Sequence, residues 1–600
     1  MKEKLLFEKF SKNIIHTGYY PLLFILSCTW MIYYRPGLNG ISMVSFIAQQ
    51  AALFSLLQIT DTILTGRRIK YCIAGLSAIY IFLLHFNAFL LSITSITLYE
   101  SVTILAIGGD FLYTLEEAGL SAGYIMLLVL LLMIILAGGG AVYRYMPHAD
   151  FRGRASRTAL ILIFITSALF FIAEQVFNRN DSDFFSRRLY PLYIEIFSSN
   201  NDTVTLSIPE NRFPMLEEYH NITRPANPKN VLFILLESFR SDSINSELSP
   251  AMNELSAESL EFANYFTDAI YTSLAWNTIL MDRPAYTLPY DISYDRENRR
   301  GSGIFRIFKN AGYDTFAAFS ANMEWKNFYN RVNGEEKLIG NYFCGFKKRD
   351  EERNYIDNRT CAKSIEWITK SGHEKPFFMM IQLDSTHWTY YAGKENELSK
   401  PFAGKDVNIG KLRNEKDIVL LLNRYKNSVR QVNSSIAKIM AALKQSGKYN
   451  DTAIIIVSDH GEGFSPGMIG HSVMHDHIKK PAIIIHLPGI EKFRMDKFIS
   501  HMDIFPTVFD YLKIGGTEKI MRGRSILSKN NNRKCVLSFH GSLLMADLTF
   551  NDYIVFFRVA RCKNSITFTP VKYTDRSGNI IKEHESSEWK SSLKQIIENN

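Results

Sequence analysis

Five apolar runs within the first 176 residues constrain this chain more than any other feature of it. They fall at 19–34, 41–64, 71–96, 122–143 and 158–176. Each is near the roughly 20 residues that cross the hydrocarbon core of a bilayer. One such run would also suit the core helix of a water-soluble protein, but five in succession, separated by short charged loops, predict a five-helix membrane domain. Lys2, Lys4, Lys9 and Lys12 precede the first run; Arg67, Arg68 and Lys70 separate the second from the third; Arg144, Arg152, Arg154 and Arg157 separate the fourth from the fifth. The loop 97–119 has no Lys or Arg. The basic loops mark the cytoplasmic side, so an odd number of spans places everything beyond 176 outside the cytoplasm. The first run lacks a small-residue cleavage site and further spans follow it, so it reads as a retained anchor.

The rest of the chain has the composition of a water-soluble domain. A polar, aromatic stretch at 177–227 reads as a connector along the membrane surface, and 228–600 as one extracytoplasmic domain whose 536–572 portion is a small antiparallel addition. The net charge of +9 is spread along the chain, which gives no footprint for nucleic acid. Cys28 and Cys72 lie in apolar runs; Cys344, Cys361, Cys535 and Cys562 remain in the soluble part. In an oxidising compartment, sequence proximity favours disulfides Cys344–Cys361 and Cys535–Cys562. Between 228 and 487, buried β-type runs alternate with helix-like ones, which predicts an α/β domain with a mostly parallel sheet.

Sites in such sheets collect at the carboxyl ends of strands. The run 229-KNVLFILLESFRSD-242 ends in Glu237 and Ser238, and 453-AIIIVSDHGEGF-464 ends in Asp459 and His460. Oxygen and nitrogen donors of this kind suit Zn²⁺ or Mn²⁺ better than Ca²⁺. Thr272 and Ser273 stand where a loop enters a helix, so helix N–H groups there face an anion. With Glu237, Asp459 and His460, Thr272 would complete a four-ligand site in which the threonine oxygen is also the nucleophile. Taken alone, Thr272 reads equally as a helix cap, and an Asp-His-Gly as a tight turn.

The order Glu-Ser-x-Arg-x-Asp after a strand, a hydroxyl residue a helix later, Thr-His-Trp in 384-DSTHWTYY-391 and Ser-Asp-His-Gly-Glu late in the chain resembles the alkaline phosphatase and sulfatase superfamily. Five spans with an external domain resemble its membrane branch of lipoteichoic acid synthases, phosphoglycerol transferases and phosphoethanolamine transferases. Phe328-Tyr329-Asn330-Arg331 is similar to an aromatic-Asn-Arg element that holds phosphoglycerol, and 501–507 to a late Asp-x-x-Pro-Thr element. The resemblance implies a metal at Glu237, Thr272, Asp459 and His460, with Thr272 as nucleophile. It also implies that His387 and His471 contact the phosphate or protonate the leaving group, with Arg331, Tyr329 and Asn330 on the substrate. Trp388 reads as substrate contact or packing; His475 and His477 read as solvated or structural. Ordinary sulfatases need Cys or Ser followed by x-Pro-x-Arg, which 272-TSLAW-276 lacks. The expected activity is therefore transfer of a phospholipid head group to a glycan, lipid A or polymer acceptor. A hydrolase of the same fold and a non-catalytic lipid-sensing protein are the rivals.

Overall fold

The computed structural model describes residues 19–34, 40–94 except 65, parts of 130–144, 158–167, 203–208, and most of 216–598, where the longest gap is 288–300. The chain divides into two compact units, Met1–Asn200 and Asn201–Asn600. The boundary falls inside the stretch read as a connector.

In the first unit, three helices cover Tyr19–Tyr34, Gly40–Ile63 and Arg67–Thr94, coinciding with the first three apolar runs. Among the described residues one segment, Arg67–His85, is long and apolar enough to cross a membrane, and Thr158–Ser167 forms a shorter apolar helix. The fourth expected span lies mostly, and the fifth partly, outside the described residues. Tyr19, Tyr20 and Tyr71 all pack their rings on Tyr143 with centroids 5.5, 6.2 and 5.9 Å apart. Tyr143 donates to Asp61, whose carboxylate also lies 3.7 Å from Lys70.

In the second unit, runs such as VLFILL and AIIIV are apolar at every position, so neither face can meet water and each must become an inner strand. Six strands form the main sheet: β1 (Asn230–Leu236), β2 (Asp314–Phe319), β3 (Asn341–Cys344), β4 (Phe377–Leu383), β5 (Thr452–Ser458) and β6 (Ile483–His486). Their order is β6-β5-β1-β4-β2-β3. All pair in parallel except β6, which is antiparallel to β5. Alternate residues of β1 face opposite cores. Val231, Phe233 and Leu235 pack with Trp276, Phe305 and Phe505 on one side; Leu232, Ile234 and Leu236 pack with Cys361, Tyr425 and Ile436 on the other.

A second, antiparallel sheet of five strands joins Val204–Ser207, from the connector stretch, to the C-terminal hairpins. The helix Trp589–Glu598 covers it with Trp589, Leu593 and Ile597.

The expected disulfides are absent, for geometric reasons. Cys344 packs against the core on the Trp276 side of the main sheet, whereas Cys361 lies in the core on the Tyr425 side; both are free thiols, and the sheet stands between them. Cys535, also free, precedes Val536, which faces Thr549, which in turn faces Ile554. Cys562 ends the strand that contains Ile554, about 26 Å further along at 3.3 Å per residue. Closeness in sequence carries no information about sheet face or strand end.

Candidate metal centre and nucleophile

The register of the main sheet aligns the site. Leu236 of β1 stands opposite both Leu383 of β4 and Ser458 of β5, so the next residues, Asp384, Glu237 and Asp459, form a row of carboxylates. Glu237 N–H donates to Leu383 O and Asp459 N–H to Leu236 O, each at 3.2 Å. All three side chains are buried.

The chain reaches this row through a strained turn. Ser238 has φ of 53°, a left-handed conformation costly for a residue with a Cβ. In return its N–H donates to Asp459 Oδ1 at 3.0 Å and its hydroxyl to Glu237 Oε1 at 3.1 Å. Asp459 Oδ1 also accepts from His460 N–H at 2.7 Å. Asp459 Oδ2 is buried without a hydrogen-bond partner.

His460 Nδ1 lies 2.9 Å from Gly461 O. A carbonyl only accepts, so Nδ1 bears the proton and Nε2 presents a lone pair. That lone pair lies 3.6 Å from both Glu237 Oε1 and Asp459 Oδ2. Ligand atoms of these three residues lie within 4.8 Å of one another. Burial, then the charges of Asp459 and Asp384, push the Glu237 carboxyl well above its usual range, and burial raises Asp459 as well. Burial also pushes His460 well below its usual value, so its imidazole is neutral. Two buried carboxylates and an imidazole lone pair converging on one point, with an unshared oxygen among them, are a donor set for a divalent cation.

Thr272 is the first residue of the helix Thr272–Met281, after Tyr271 as N-cap. Its hydroxyl does not cap the helix; it donates to Glu237 Oε1 at 3.1 Å and lies 3.4 Å from His460 Nε2. Leu274 and Ala275 donate the first intrahelical bonds, both to Tyr271 O at 3.0 Å, so it is the N–H groups of Thr272 and Ser273, ahead of them, that suit an anion. Ser273 is fully buried. The loop before the helix is anchored from behind. Thr267 donates from its hydroxyl to Asp459 O at 2.8 Å, and Phe539 of the second sheet donates its N–H to Asp268 O at 2.9 Å.

The structure thus brings Glu237, Thr272, Asp459 and His460 together. His471 joins them, its ring 4.2 Å from that of His460 and its Nδ1 3.7 Å from Glu462. Glu462 is buried and accepts from Tyr390 OH at 3.0 Å. His387 stands four residues beyond β4, in the turn that Asp384 opens, and its N–H donates to Asp384 O at 3.0 Å. The 328–331 element arrives through packing: Phe328 meets Trp276 at 4.8 Å on the Thr272 helix. Arg331 is fully buried and stacks 4.4 Å over Phe328. Tyr329 and Asn330 are exposed; Tyr329 packs on Tyr342 at 4.8 Å, and Asn330 donates to Asn327. Trp388 is half-buried against Tyr390. His475 and His477 stack on each other at 5.1 Å, and His477 also lies 3.6 Å from Asp242. Glu462 and Asp384 stand within the two strand-end motifs but carry no expected role in the sequence; their places at a strand end or just after it are the signal that marks them.

The second unit is thus a doubly cored, mostly parallel sheet in which a hydroxyl at a helix start faces two carboxylates and an imidazole that could hold a divalent cation. Residues 229–514 match the sulfatase family model, and the chain carries a domain of the sulfatase and alkaline phosphatase superfamily. Lipoteichoic acid synthase of Staphylococcus saprophyticus is 21% identical over 56% of this chain and 53% of its own length. The lipoteichoic acid synthase-like protein YvgJ of Bacillus subtilis is 22% identical over 60% of this chain and 57% of its own. The chain thus spans somewhat over half the length of these curated relatives. A solved structure of a protein bound to its substrate D-glucosamine-2-N,6-O-disulfate shares the fold at a TM-score of 0.50 and 13% identity, covering 62% of this chain and 97% of that one.

Proposed function

We propose that this protein is a membrane-anchored transferase that moves a phospholipid head group, phosphoglycerol or phosphoethanolamine, to a glycan, lipid A or polymer acceptor outside the cytoplasm. The observation that carries the reading is the Thr272 hydroxyl, half-buried at a helix start and aimed at Glu237 Oε1 and His460 Nε2. The named lipoteichoic acid synthases among the relatives support the phosphoglycerol form. The lack of the x-Pro-x-Arg sequence after Thr272 argues against ordinary sulfate-ester hydrolysis.

Glu237, Asp459 and His460, with Thr272 Oγ1, would hold a divalent cation, Zn²⁺ or Mn²⁺. When bound, such a cation lowers the pKa of the threonine hydroxyl and offsets charge on the phosphoryl oxygens. Thr272 Oγ gives its proton to solvent water and attacks phosphorus; the bond from phosphorus to the diacylglycerol oxygen breaks, and that oxygen takes a proton from His387 or His471. The acceptor hydroxyl then gives its proton back to that imidazole as its oxygen forms the new bond to phosphorus, and the bond from phosphorus to Thr272 Oγ breaks, Oγ taking a proton from water. The helix N–H groups at Thr272 stabilise the oxygens in both steps. Arg331, fully buried and stacked over Phe328, would supply fixed positive charge rather than a direct contact with the phosphate.

The test is mass spectrometry of the Thr272 peptide after exposure to mixed phospholipids. An adduct whose mass equals the head-group phosphodiester supports transfer and identifies the group. No adduct in a metal-loaded, folded protein overturns the covalent route. Product analysis with and without an acceptor then separates transfer from hydrolysis.

A further inference from the structure

The turn that carries His387 leaves β4 through Asp384, Ser385 and Thr386, and it is held by one helix that the proposed reaction does not otherwise use, Arg353–Thr369. Asp357, fully buried on that helix, accepts the N–H of Asp384 at 2.8 Å and that of Ser385 at 2.9 Å, one on each carboxylate oxygen. One helical turn earlier, Arg353 pairs through Nη1 with the Asp384 carboxylate and donates from Nε to the carbonyl of Trp388 at 3.4 Å. That same carbonyl lies 2.9 Å from His387 Nδ1. Because a carbonyl only accepts, His387 Nδ1 keeps its proton, so the proton the ring exchanges in the proposed step is the one at Nε2. Residues 353 and 357, four apart on one helix face, therefore grip both ends of a five-residue turn.

We propose that Arg353 and Asp357 are positioning residues that set the tautomer and direction of His387, and through it the step in which the diacylglycerol oxygen is protonated. This rests on the assignment of His387 given above. The guanidinium suits the task because its fork reaches two acceptors at once, Asp384 and Trp388 O. A lysine ammonium is a point charge that can meet the carboxylate but cannot reproduce the planar two-acceptor geometry.

A double-mutant cycle in the full-length, metal-loaded protein tests the coupling, with diacylglycerol release from mixed phosphatidylglycerol and phosphatidylethanolamine micelles as the readout. His387→Ala is expected to lower kcat by about 10²-fold or more with KM little changed. Arg353→Ala is expected to lower kcat by about 10-fold to 10²-fold, and Arg353→Lys by less. In the His387→Ala background, Arg353→Ala should add less than about 2-fold, because a residue acting through a missing side chain has nothing left to position. Multiplicative losses in the double variant would overturn the inference while leaving His387 in place. So would an Arg353→Ala loss explained by a matching drop in bound metal or melting temperature. A silent His387→Ala would overturn the assignment of His387 and the positioning role with it, yet leave the Thr272 adduct intact. Because Asp357 is buried, its replacement can fail to fold; the Arg353 variants, at a side chain 18% exposed, keep the test decisive.

Discussion

Thr272 and Ser273 differ by one position and by everything that matters to a nucleophile. The first hydroxyl reaches Glu237 and His460; the second is buried with no hydrogen-bond partner. Thr272→Ala should abolish both adduct and turnover at a stability change of about 1 kcal/mol or less. Ser273→Ala should keep the adduct, since deleting an unsatisfied buried hydroxyl is nearly neutral; parallel adduct mass and melting measurements check both. A second residue-scale prediction concerns pH. Burial, opposed by the charge of Arg533, lifts the Asp268 carboxyl to about 7. The folded state therefore binds this proton more tightly than the unfolded chain does. Its contribution to stability is complete below about pH 4, the ordinary aspartate value, and is lost as pH rises through about 7. The melting temperature of Asp268→Asn, relative to the parent protein, should thus improve between pH 5 and pH 8; a difference that stays flat would remove the argument. Glu237, Asp459 and His460 were legible in the sequence because each follows an uninterrupted apolar run, so the end of the strand could be read to the residue. Arg353 and Asp357 were not, because charged residues on a helix look the same whether they face solvent or grip a neighbouring turn.

At the scale of elements, the segment after β5 is pinned with little tolerance. Gly461 donates its N–H to Ile478 O at 2.7 Å, and a Cβ on it would meet His477 O at 1.9 Å. Gly461→Ala should displace His460, strip the bound metal and cost about 1–3 kcal/mol or more; metal content by mass spectrometry and a denaturant midpoint would show both losses. The same segment reaches the second sheet through Lys479. Its ammonium pairs with Asp547 and donates to Thr549 at 2.9 Å, all buried, while its backbone carbonyl accepts from Thr267 N–H at 2.9 Å in the loop that leads to Thr272. Lys479→Met should destabilise the domain by about 3–5 kcal/mol by stranding Asp547, and the double replacement Lys479→Met with Asp547→Leu should recover most of that loss. The main-sheet strands 231–236, 377–383 and 453–457 were readable from composition alone. The strand Val204–Ser207 was not: four residues inside a polar stretch acquire their partner, Ser565–Phe568, only through a contact more than 350 positions away.

For the whole molecule, the alternating apolar and basic segments predict a topology that labelling can test. With native cysteines replaced, single cysteines placed in 97–119 should react with an impermeant maleimide in intact cells, and those in 145–157 only after lysis. Reaction in the opposite sense would reverse the orientation argued from Lys and Arg. The tyrosines at 19, 20, 71 and 143, gathered near Asp61 and Lys70, are the described residues best suited to mark one interface. In the second unit, the helix that starts at Thr272 packs into the core on one side of the main sheet, through Trp276, Ile279 and Leu280. The helix bearing Arg353 and Asp357 packs into the other, through Cys361 and Ile368. On the reaction proposed above, attack by Thr272 and the positioning of His387 are consequently supported from separate layers that meet along the row of strand ends. If Thr272 and His387 act as proposed, an engineer who remodels the Arg353 layer would alter the protonation step while leaving the attacking residue in place, so that the two halves of the reaction could be tuned apart.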